Sequence, residues 1–443
     1  MADPSRRLAA RGVLWIIVYV AVALSPLAAA ALATAAAPRS WVTEFSVALG
    51  FLALMIFGLQ FGLVARFQRV SAPFGMDALV QYHRQIALVA VAFALVHPVL
   101  LMIEDPGKLK LLDIVHAPWR ARHAVGATVA LLLVAGLSLF RKRIGLSYER
   151  WQLLHGLLAV GVVGLSLAHA VGVGFYSGRP GTRALWLALA GGWVALLGWV
   201  RIVKPLLRLR RPWRVDEVRA ERGGAWTLVL SPVGHPGLRF EPGQFAWLIV
   251  GRSPFSLTQH PFSFSSSPDP SGSVAFTIKA RGDFTGSIAG IAPGTRAYLD
   301  GPYGLFTTAR HDGPGFVLIA GGVGITPVIS MIRSLDDRRD PRPLVLFYGT
   351  KDWEGVTFRE ELEARREKTG LKVVHVLESP PEGWTGERGF ITADLLRRHL
   401  PPGFEEFRYF VCGPVPMMDA MERELVSLGV PDGSVVTERF DMV

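Results

Sequence analysis

The chain is divided by hydrophobicity: long apolar runs fill residues 1–205, whereas residues 212–443 alternate apolar and polar positions. About 20 apolar residues suffice to cross a bilayer as a helix, which satisfies its own backbone hydrogen bonds. Six runs qualify: 12–33, 41–64, 83–104, 122–140, 150–172 and 183–204. The first run resembles a signal sequence, but the five that follow favour a retained helix. The sequence therefore predicts a six-helix membrane bundle joined to a soluble half.

Lysine and arginine are unequally shared between the loops on the two sides of this bundle. One side carries Arg6, Arg7, Arg11, Arg66, Arg69, Arg84, Arg141, Lys142, Arg143, Arg150, Arg201, Lys204, Arg208, Arg210 and Arg211. The other carries Arg39, Lys108, Lys110, Arg120, Arg122, Arg179 and Arg183. Because cationic loops stay in the cytoplasm, we expect both termini and the soluble half there. The net charge of +11 then reflects loops beside the lipid bilayer and does not require a nucleic acid partner.

Two apolar runs each carry a pair of histidines with the same spacing. His83 and His97 are 14 residues apart, and so are His155 and His169. Fourteen residues make nearly four helical turns, about 21 Å, so each pair lies on one helix face at two membrane depths. Imidazole in hydrocarbon needs a partner, and facing pairs suit axial ligation of haem iron. The pattern predicts an inner haem on His83 and His155 and an outer haem on His97 and His169. Packing or hydrogen-bonding histidines are the alternative.

The one cysteine restricts the type of haem, and two further histidines are candidates for other contacts. Cys412 is the only cysteine, so the C-x-x-C-H run of covalently attached haem is missing and the haems would be b-type. His116 and His123 fall in or near the outer loop. They are candidates for accessory ligands or for binding an outside metal substrate, although solvated loop histidines are the simpler interpretation.

The first part of the soluble half is typical of a small antiparallel barrel. Its expected strands are 225–232, 244–250, 262–267, 274–280 and 295–300. Among them stand His260-Pro261-Phe262-Ser263, Lys279 and Gly282-Asp283-Phe284-Thr285-Gly286. An aromatic side chain followed by a hydroxyl suits a flavin ring, and a Gly/Thr turn opening a helix can present N–H groups to a pyrophosphate. Singly, each is an ordinary strand or turn.

The remainder alternates strands and helices, which predicts a doubly wound parallel sheet. We expect strands at 315–320, 343–348, 371–377, 407–412 and 434–439, and helices at 327–335, 356–368, 391–399 and 415–428. The first strand leads into Gly321-Gly322-Val323-Gly324, a loop that lets the backbone approach a phosphate. Thr326 is the expected N-cap of the next helix and Pro327 its first residue.

Two other strand ends bear on the nucleotide. The second strand ends at Tyr348-Gly349-Thr350-Lys351 without the acid that binds a ribose 2′-hydroxyl. Lys351 therefore favours the 2′-phosphate of NADPH over NADH, although the adjacent Asp352 weakens that preference. The fourth strand ends at Cys412-Gly413-Pro414, at the sheet edge where ligands bind. A lone buried cysteine is more often an inert part of the core.

Assembled, these motifs resemble the ferric reductase and NADPH oxidase superfamily over nearly the whole chain, as a bacterial member of the inner membrane. The resemblance implies a haem domain at 1–210, an FAD-binding barrel at 211–311 and an NAD(P)H-binding domain at 312–443. It implies the following sites: His83, His97, His155 and His169 for two b haems; His260 to Ser263, Lys279, Gly282, Thr285 and Gly286 for FAD; Gly321, Gly322, Gly324, Thr326, Pro327, Lys351 and Cys412 to Pro414 for NADPH. Asp300-Gly301-Pro302-Tyr303-Gly304 is similar to the segment that closes the FAD domain, and Phe440 is the implied flavin-covering aromatic, although three residues follow it.

The resemblance also implies an activity: electrons pass from cytosolic NADPH through FAD and two haems to an acceptor on the outer face. The acceptor is oxygen, giving superoxide, or a ferric chelate attracted by the basic outer loop. Superoxide-forming animal oxidases carry a histidine one turn past the outer ligand, where this chain has Leu101. No EF-hand pattern is present, so calcium control is not expected. A haem subunit that donates electrons to a periplasmic protein, or a non-catalytic haem sensor, is the alternative.

Overall fold

The computed structural model describes residues 4–32 and 39–439, which form two units, one up to Pro205 and one from Leu206. The helices of the first unit are α1 Pro4–Leu32, α2 Trp41–Leu63, α3 Gln68–Ser71, α4 Met76–Glu104, α5 Trp119–Phe140, α6 Tyr148–Val173 and α7 Pro180–Gly198. A π-helical turn, Trp199–Val203, continues α7 into α8, Lys204–Leu209. Six of the described helices are long and apolar enough to cross a membrane, so the prediction of a multi-pass membrane protein is confirmed.

The two helices that carry the histidine pairs begin earlier than the sequence predicts. Helix α4 starts at Met76 after Gly75, whose φ of 82° ends the preceding turn, and α6 starts at Tyr148. The expected runs, which begin at residues 83 and 150, therefore start too late for the helices that carry His83 and His155. Each lies two turns inside its helix, because polar residues in the first turns mask the helical pattern.

Helix packing in the bundle joins α4 mainly to α2 and α6 mainly to α5. Leu54 and Met55 of α2, Val163 of α6 and Trp193 of α7 are among the buried side chains of the central apolar cluster. Gly58 permits this packing, because a Cβ there would lie 2.1 Å from the Trp193 ring. Small residues that admit a neighbour are the usual means of tight helix packing in lipid.

The second unit begins with an antiparallel sheet. Its strands are β1 Trp213–Glu221, β2 Ala225–Pro232, β3 Phe245–Val250, β4 His260–Ser263, β5 Val274–Lys279 and β6 Arg296–Tyr303, and a short helix, α9 Asp283–Gly286, follows β5. The strand order is β4-β3-β6-β1-β2-β5, and a bridge between Phe264 and Phe276 joins the two edges. The barrel was thus correctly expected, but β1 was missed, because its charged residues hide the alternation of a strand.

A parallel sheet completes the unit. Its elements are β7 Phe316–Gly321, α10 Ile325–Asp337, β8 Leu344–Thr350, α11 Arg359–Thr369, β9 Lys372–Leu377, β10 Glu387–Arg388, α12 Ala393–His399, β11 Arg408–Cys412, α13 Val415–Ser427 and β12 Val435–Thr437. The strand order β10-β9-β8-β7-β11-β12 is doubly wound, and apolar clusters cover both faces of the sheet. The predicted fold class, a six-helix bundle with a barrel and an α/β domain, is confirmed.

One local prediction in this sheet is wrong. Helix α10 begins at Ile325, so Thr326 is its second residue and Pro327 its third. The Thr326 hydroxyl donates to the Val323 carbonyl instead of capping the helix. The tight Gly322–Gly324 turn already has helical curvature, and it therefore moves the helix start towards the strand.

Candidate functional site

The four membrane histidines form two facing pairs. The ring centroids of His83 and His155 are 6.3 Å apart, and those of His97 and His169 are 6.4 Å apart. Both pairs have an interplanar angle of 60°. Because α4 and α6 pack mainly on other helices, the rings meet across a gap and not across a packed helix interface.

Three of the four rings are fixed from behind through Nδ1. The Ser46 carbonyl lies 2.8 Å and its hydroxyl 2.9 Å from His97 Nδ1, and the Arg120 carbonyl lies 2.9 Å from His169 Nδ1. The Ser138 hydroxyl lies 3.1 Å from His155 Nδ1. A ring that donates through Nδ1 keeps Nε2 as its ligating atom, which is the arrangement usual for metal-bound histidine.

The separations suit an iron atom between each pair. With a metal–nitrogen bond of about 2 Å and about 1.2 Å from nitrogen to ring centre, two imidazoles on opposite sides of one ion have centroids about 6.4 Å apart. Among the described residues, no group of three or more His, Cys, Asp or Glu side chains is arranged to hold a bare metal ion. Two imidazoles would leave the remaining coordination positions of an iron atom to a macrocycle, so the residues present fit haem.

The other two histidines and the basic loop lie at the end of the bundle nearer to His97 and His169. His123 stands in the first turns of α5 with its ring 5.2 Å from that of Trp119, whereas His116 is exposed and lies 2.7 Å from Asp113. Arg122 donates to the Ala117 and Val115 carbonyls at 2.7 and 2.8 Å. Arg122 therefore holds the shape of the loop. His123 lies on α5, the helix that packs against α6 and its His169.

The flavin motif lies along β4 and the turn after β5. The His260 ring stacks on Phe284 with centroids 4.2 Å apart, and Phe262 lies 6.1 Å from Phe284. These three rings form one aromatic cluster in which His260 and Phe284 cover each other's faces, and the half-buried Lys279 ends the neighbouring strand β5. An aromatic cluster of this kind can stack on an isoalloxazine or adenine ring. Pro261 and Ser263 belong to β4, whereas Phe440 lies outside the described residues.

The expected pyrophosphate turn is more closed than the sequence indicates. Thr285 Oγ1 accepts hydrogen bonds from the N–H groups of Gly282, at 2.8 Å, and Arg281, at 2.9 Å. The Gly286 N–H donates to the Gly282 carbonyl at 2.7 Å. The turn therefore holds its own shape, and N–H groups bound to Thr285 are not those that a phosphate would meet first.

The nucleotide loop is held against the end of β11. A Cβ on Gly324 would lie 2.2 Å from the Cys412 carbonyl oxygen, and one on Gly321 would lie 2.5 Å from Met417 Sδ. Gly322 has a φ of +53° and its Cβ direction is open. Gly413 also lies close to Gly321, with 3.1 Å from a built Cβ to the Gly321 nitrogen. The glycines thus bring the two loops together at the carboxyl edge of the sheet.

Cys412 itself is completely buried beneath this edge. Burial raises the pKa of its thiol well above the usual range, and the nearby Glu438 adds to the effect. Its side chain belongs to the apolar core cluster on one sheet face. The position matches the predicted strand end, with Pro414 opening α13, but the thiol is neutral and enclosed.

One helix face that the sequence did not reveal joins the barrel to the nucleotide domain. Ser330 and Arg333 of α10 donate to the carbonyls of Ser266 and Ser265 at 2.6 and 2.7 Å. The Thr326 hydroxyl, which donates to Val323, has the Thr277 carbonyl as a weaker second acceptor at 3.3 Å. Arg333 also forms a bidentate pair with Glu361. The i, i+4, i+7 spacing was visible in the sequence, but the acceptors are backbone carbonyls, which carry no sequence signal.

The two candidate ribose contacts at the end of β8, Lys351 and Asp352, differ in their surroundings. Lys351 is exposed, whereas the Asp352 carboxylate accepts the Gly355 N–H at 2.7 Å. The Thr350 hydroxyl donates to the Asp352 carbonyl at 3.0 Å. Asp352 is therefore engaged in its own turn, and Lys351 is the charged side chain that this strand end presents.

Comparison with known proteins agrees with both halves. Residues 49–166 match the family of the ferric reductase like transmembrane component, a segment that includes His83, His97 and His155 and ends three residues before His169. Residues 318–423 match the oxidoreductase NAD-binding domain. The predicted combination of a ferric reductase-like membrane domain with a pyridine-nucleotide oxidoreductase module is confirmed.

Individual relatives match the soluble half. NADH-cytochrome b5 reductase 1 of Pyricularia oryzae is 32% identical over 184 residues, which are 40% of this chain and 60% of the relative. The electron transfer component of xylene/toluene monooxygenase from Pseudomonas putida is 31% identical over 210 residues, 46% of this chain and 58% of that one. The chain thus spans about 60% of the length of the curated relatives it matches.

Solved structures are also similar to parts of this chain. The ferredoxin reductase in carbazole 1,9a-dioxygenase is 26% identical and covers 52% of this chain and 69% of its own, with a TM-score of 0.46. The flavohemoglobin of Malassezia yamatoensis is 17% identical and covers 90% and 98%, with a TM-score of 0.49.

Proposed function

We propose that this chain, a ferric reductase-like membrane domain joined to a pyridine-nucleotide oxidoreductase module, carries electrons from cytosolic NADPH across the membrane to a small acceptor. The observation that supports this most is the repeated histidine pair. The two ring separations, 6.3 and 6.4 Å, agree with one another and with a bridging metal. Packing histidines would have no reason to repeat a metal-like separation at two depths.

The cofactors that the proposal requires are FAD and two b haems. When bound, FAD supplies the conversion of a two-electron hydride into single electrons, and the haems supply one-electron carriers at two depths. His83 and His155 would hold the inner haem, and His97 and His169 the outer one. The aromatic cluster of His260, Phe262 and Phe284 would stack on FAD, with Lys279 and the Gly282–Gly286 turn as the polar contacts that the sequence motifs indicate.

The chain's own contribution to the first step is orientation. Helix α10 places the glycine loop by hydrogen bonds from Ser330 and Arg333 to the barrel, so that the glycine loop and the aromatic cluster are joined through one hydrogen-bonded framework. Gly322 leaves open space for a phosphate beside the loop. Positioning of this kind is the main task of the protein in cofactor chemistry, and we expect no essential general acid or base at the outer end.

NADPH is the proposed donor because Lys351 is exposed at the end of β8 and Asp352 is bound within its own turn. A cationic contact with the 2′-phosphate is a charge-assisted hydrogen bond. The fungal relatives are named as NADH enzymes, which favours the alternative donor. Steady-state kcat/KM with each nucleotide decides between the two, and an NADH preference would refute this part of the proposal.

The proposed acceptor is oxygen or a ferric chelate at the outer face, with the soluble half in the cytoplasm of a bacterial cell. Lys108 lies 3.9 Å from Asp105 and is balanced locally, whereas Arg122 is held by neutral loop carbonyls and keeps its full charge. The loop therefore keeps part of its attraction for an anionic chelate, which has no bearing on oxygen. A periplasmic protein acceptor is the alternative.

Rapid mixing tests the proposal. Purified protein supplied with haem and FAD is reduced anaerobically with NADPH and then mixed with oxygen, a ferric chelate or a quinone. We expect b-type absorption to appear on reduction and to disappear fastest with the physiological acceptor. Protein that consumes neither NADPH nor NADH, or whose haem stays oxidised while the flavin is reduced, would refute transmembrane transfer.

A further inference from the structure

We propose that Gln60 is a positioning residue for the inner haem, whose side-chain oxygen accepts a hydrogen bond from Nδ1–H of His83. This inference rests on the proposed function, because it concerns the ligand of a haem. It assigns a role to a buried polar side chain in the membrane that the sequence patterns did not single out.

The starting point is an asymmetry among the four histidines. His97 meets Ser46 of α2 through Nδ1, while His155 and His169 meet Ser138 and the Arg120 carbonyl, both on α5. Each of these rings is thus held by the helix packed behind it, and not by the opposite ligand helix. His83 Nδ1 is buried and makes no hydrogen bond within the described residues.

The register of α2 against α4 identifies the partner. The helices are antiparallel, with Ser40 and Thr43 bonded to Glu104, and Ser46 and Gly50 against His97. Moving 14 residues along α4 from His97 gives His83, and moving 14 residues along α2 from Ser46 gives Gln60. Fourteen residues restore nearly the same helix face after about 21 Å. Gln60 therefore stands to His83 as Ser46 stands to His97.

Gln60 also has unmet bonding capacity. Its side chain is 7% exposed, and neither its Nε2 nor its Oε1 makes a hydrogen bond within the described part of the chain. A buried amide without partners in hydrocarbon is strongly unfavourable. Donor and acceptor left over at one depth on two packed helices satisfy one another if the glutamine rotamer turns towards His83. Glutamine is longer than serine, so this contact tolerates a wider helix separation.

The chemical consequence concerns the inner haem alone. A hydrogen bond from Nδ1–H fixes the tautomer that leaves Nε2 for iron, and it makes the imidazole a stronger electron donor to the iron. Loss of such a partner typically lowers metal affinity 10- to 100-fold. An imidazole that has lost this hydrogen bond donates less electron density to the iron. The reduced iron is then stabilised relative to the oxidised iron, so the midpoint potential of that haem rises.

The test is a redox titration of the full-length protein, together with its haem stoichiometry. The titration of wild-type protein is resolved into two one-electron components, and the inner one is the component that His83→Ala removes and His97→Ala keeps. In Gln60→Leu we expect only the inner component to move to higher potential, with at least tenfold weaker retention of that haem. Gln60→Glu, which keeps an acceptor oxygen, should hold both haems with the inner potential at or below that of wild type.

Gln152→Leu is the matched control, because Gln152 Oε1 is another buried amide oxygen without a hydrogen bond, near His155 on α6. The inference is overturned if Gln60→Leu leaves both components unchanged, moves the outer one, or acts no more strongly than Gln152→Leu. It is equally overturned if Gln60→Glu raises the inner potential, a readout that remains if Gln60→Leu does not fold. Wild-type protein that binds no haem would instead refute the proposed function, and this inference with it.

Discussion

Substitution by alanine at two glycines of the nucleotide loop should affect different kinetic constants. At Gly324 it should lower the saturated rate of flavin reduction, and at Gly322 it should raise the KM for NADPH. A Cβ at Gly324 would lie 2.2 Å from the Cys412 carbonyl oxygen and 2.9 Å from the Gly413 nitrogen. Carbon atoms are not found below 3.0 Å in such contacts, so the loop and the end of β11 must separate by about 1 Å. A misplacement of about 1 Å is enough to slow a reaction about 100-fold when orientation is the catalytic contribution.

At Gly322 the same substitution meets open space but an unfavourable backbone. Its φ of +53° is left-handed, which costs an alanine about 1–2 kcal/mol without displacing the neighbouring loop. Its Cβ would instead occupy the space proposed for a phosphate. We therefore expect Gly322→Ala to raise the KM for NADPH and to change the rate at saturation less than tenfold.

Anaerobic stopped-flow bleaching of the flavin, at saturating and limiting NADPH, separates these effects. Gly324→Ala should lose about 100-fold in the saturated rate of flavin reduction, since the displaced loop misorients the nicotinamide. Thermal unfolding of both variants controls for general destabilisation. A Gly324→Ala protein within twofold of the wild-type saturated rate, or a Gly322→Ala protein with an unchanged KM, would refute this account of the loop.

Three further outcomes are expected. His97→Ala and His169→Ala should each reduce haem from two to one per chain in a pyridine haemochrome assay, and two haems retained in either would contradict the ligand assignment. Lys351→Glu should lower kcat/KM for NADPH at least tenfold while sparing NADH, because a charge-assisted contact contributes about 1.5–3 kcal/mol; equal losses with both nucleotides would exclude a 2′-phosphate contact. Burial raises the pKa of the Cys412 thiol. The contribution of the buried, neutral thiol to the free energy of unfolding is therefore fully present below the ordinary thiol pKa, and it declines as the pH rises above that value. Native protein should resist iodoacetamide at pH 8 until it unfolds, and rapid alkylation by mass spectrometry would show that the thiol is accessible.

Features that depend on one segment of chain were predictable from the sequence. The membrane helices follow from apolar length, and the doubly wound sheet follows from buried strands such as β7, in which every residue is buried. The histidine spacing likewise gave the two depths, because helical periodicity alone relates His83 to His97 and His155 to His169. That the rings approach within a metal-bridging separation required the helices to be packed.

The features that the sequence did not reveal depend on partners without a sequence signal. The acceptor of His169 Nδ1 is the backbone carbonyl of Arg120, and the acceptors of α10 are the carbonyls of Ser265, Ser266 and Thr277. Strand β1 was hidden because its solvent-facing positions are charged. The predicted start of α10 was wrong because the cap motif at Thr326 suggests a later start than the helix has. The helical curvature of the preceding turn allows the helix to begin at Ile325.

Electron passage through the bilayer is the central claim, and sealed proteoliposomes test it most directly. Full-length protein with haem and FAD is inserted with its soluble half outside, and an impermeant ferric chelate is enclosed within. On addition of NADPH outside, we expect reduction of the enclosed chelate, and its loss in His97→Ala protein whose flavin is still reduced. An enclosed chelate that stays oxidised, with no superoxide formed inside, while NADPH reduces both the flavin and the haem would contradict the account.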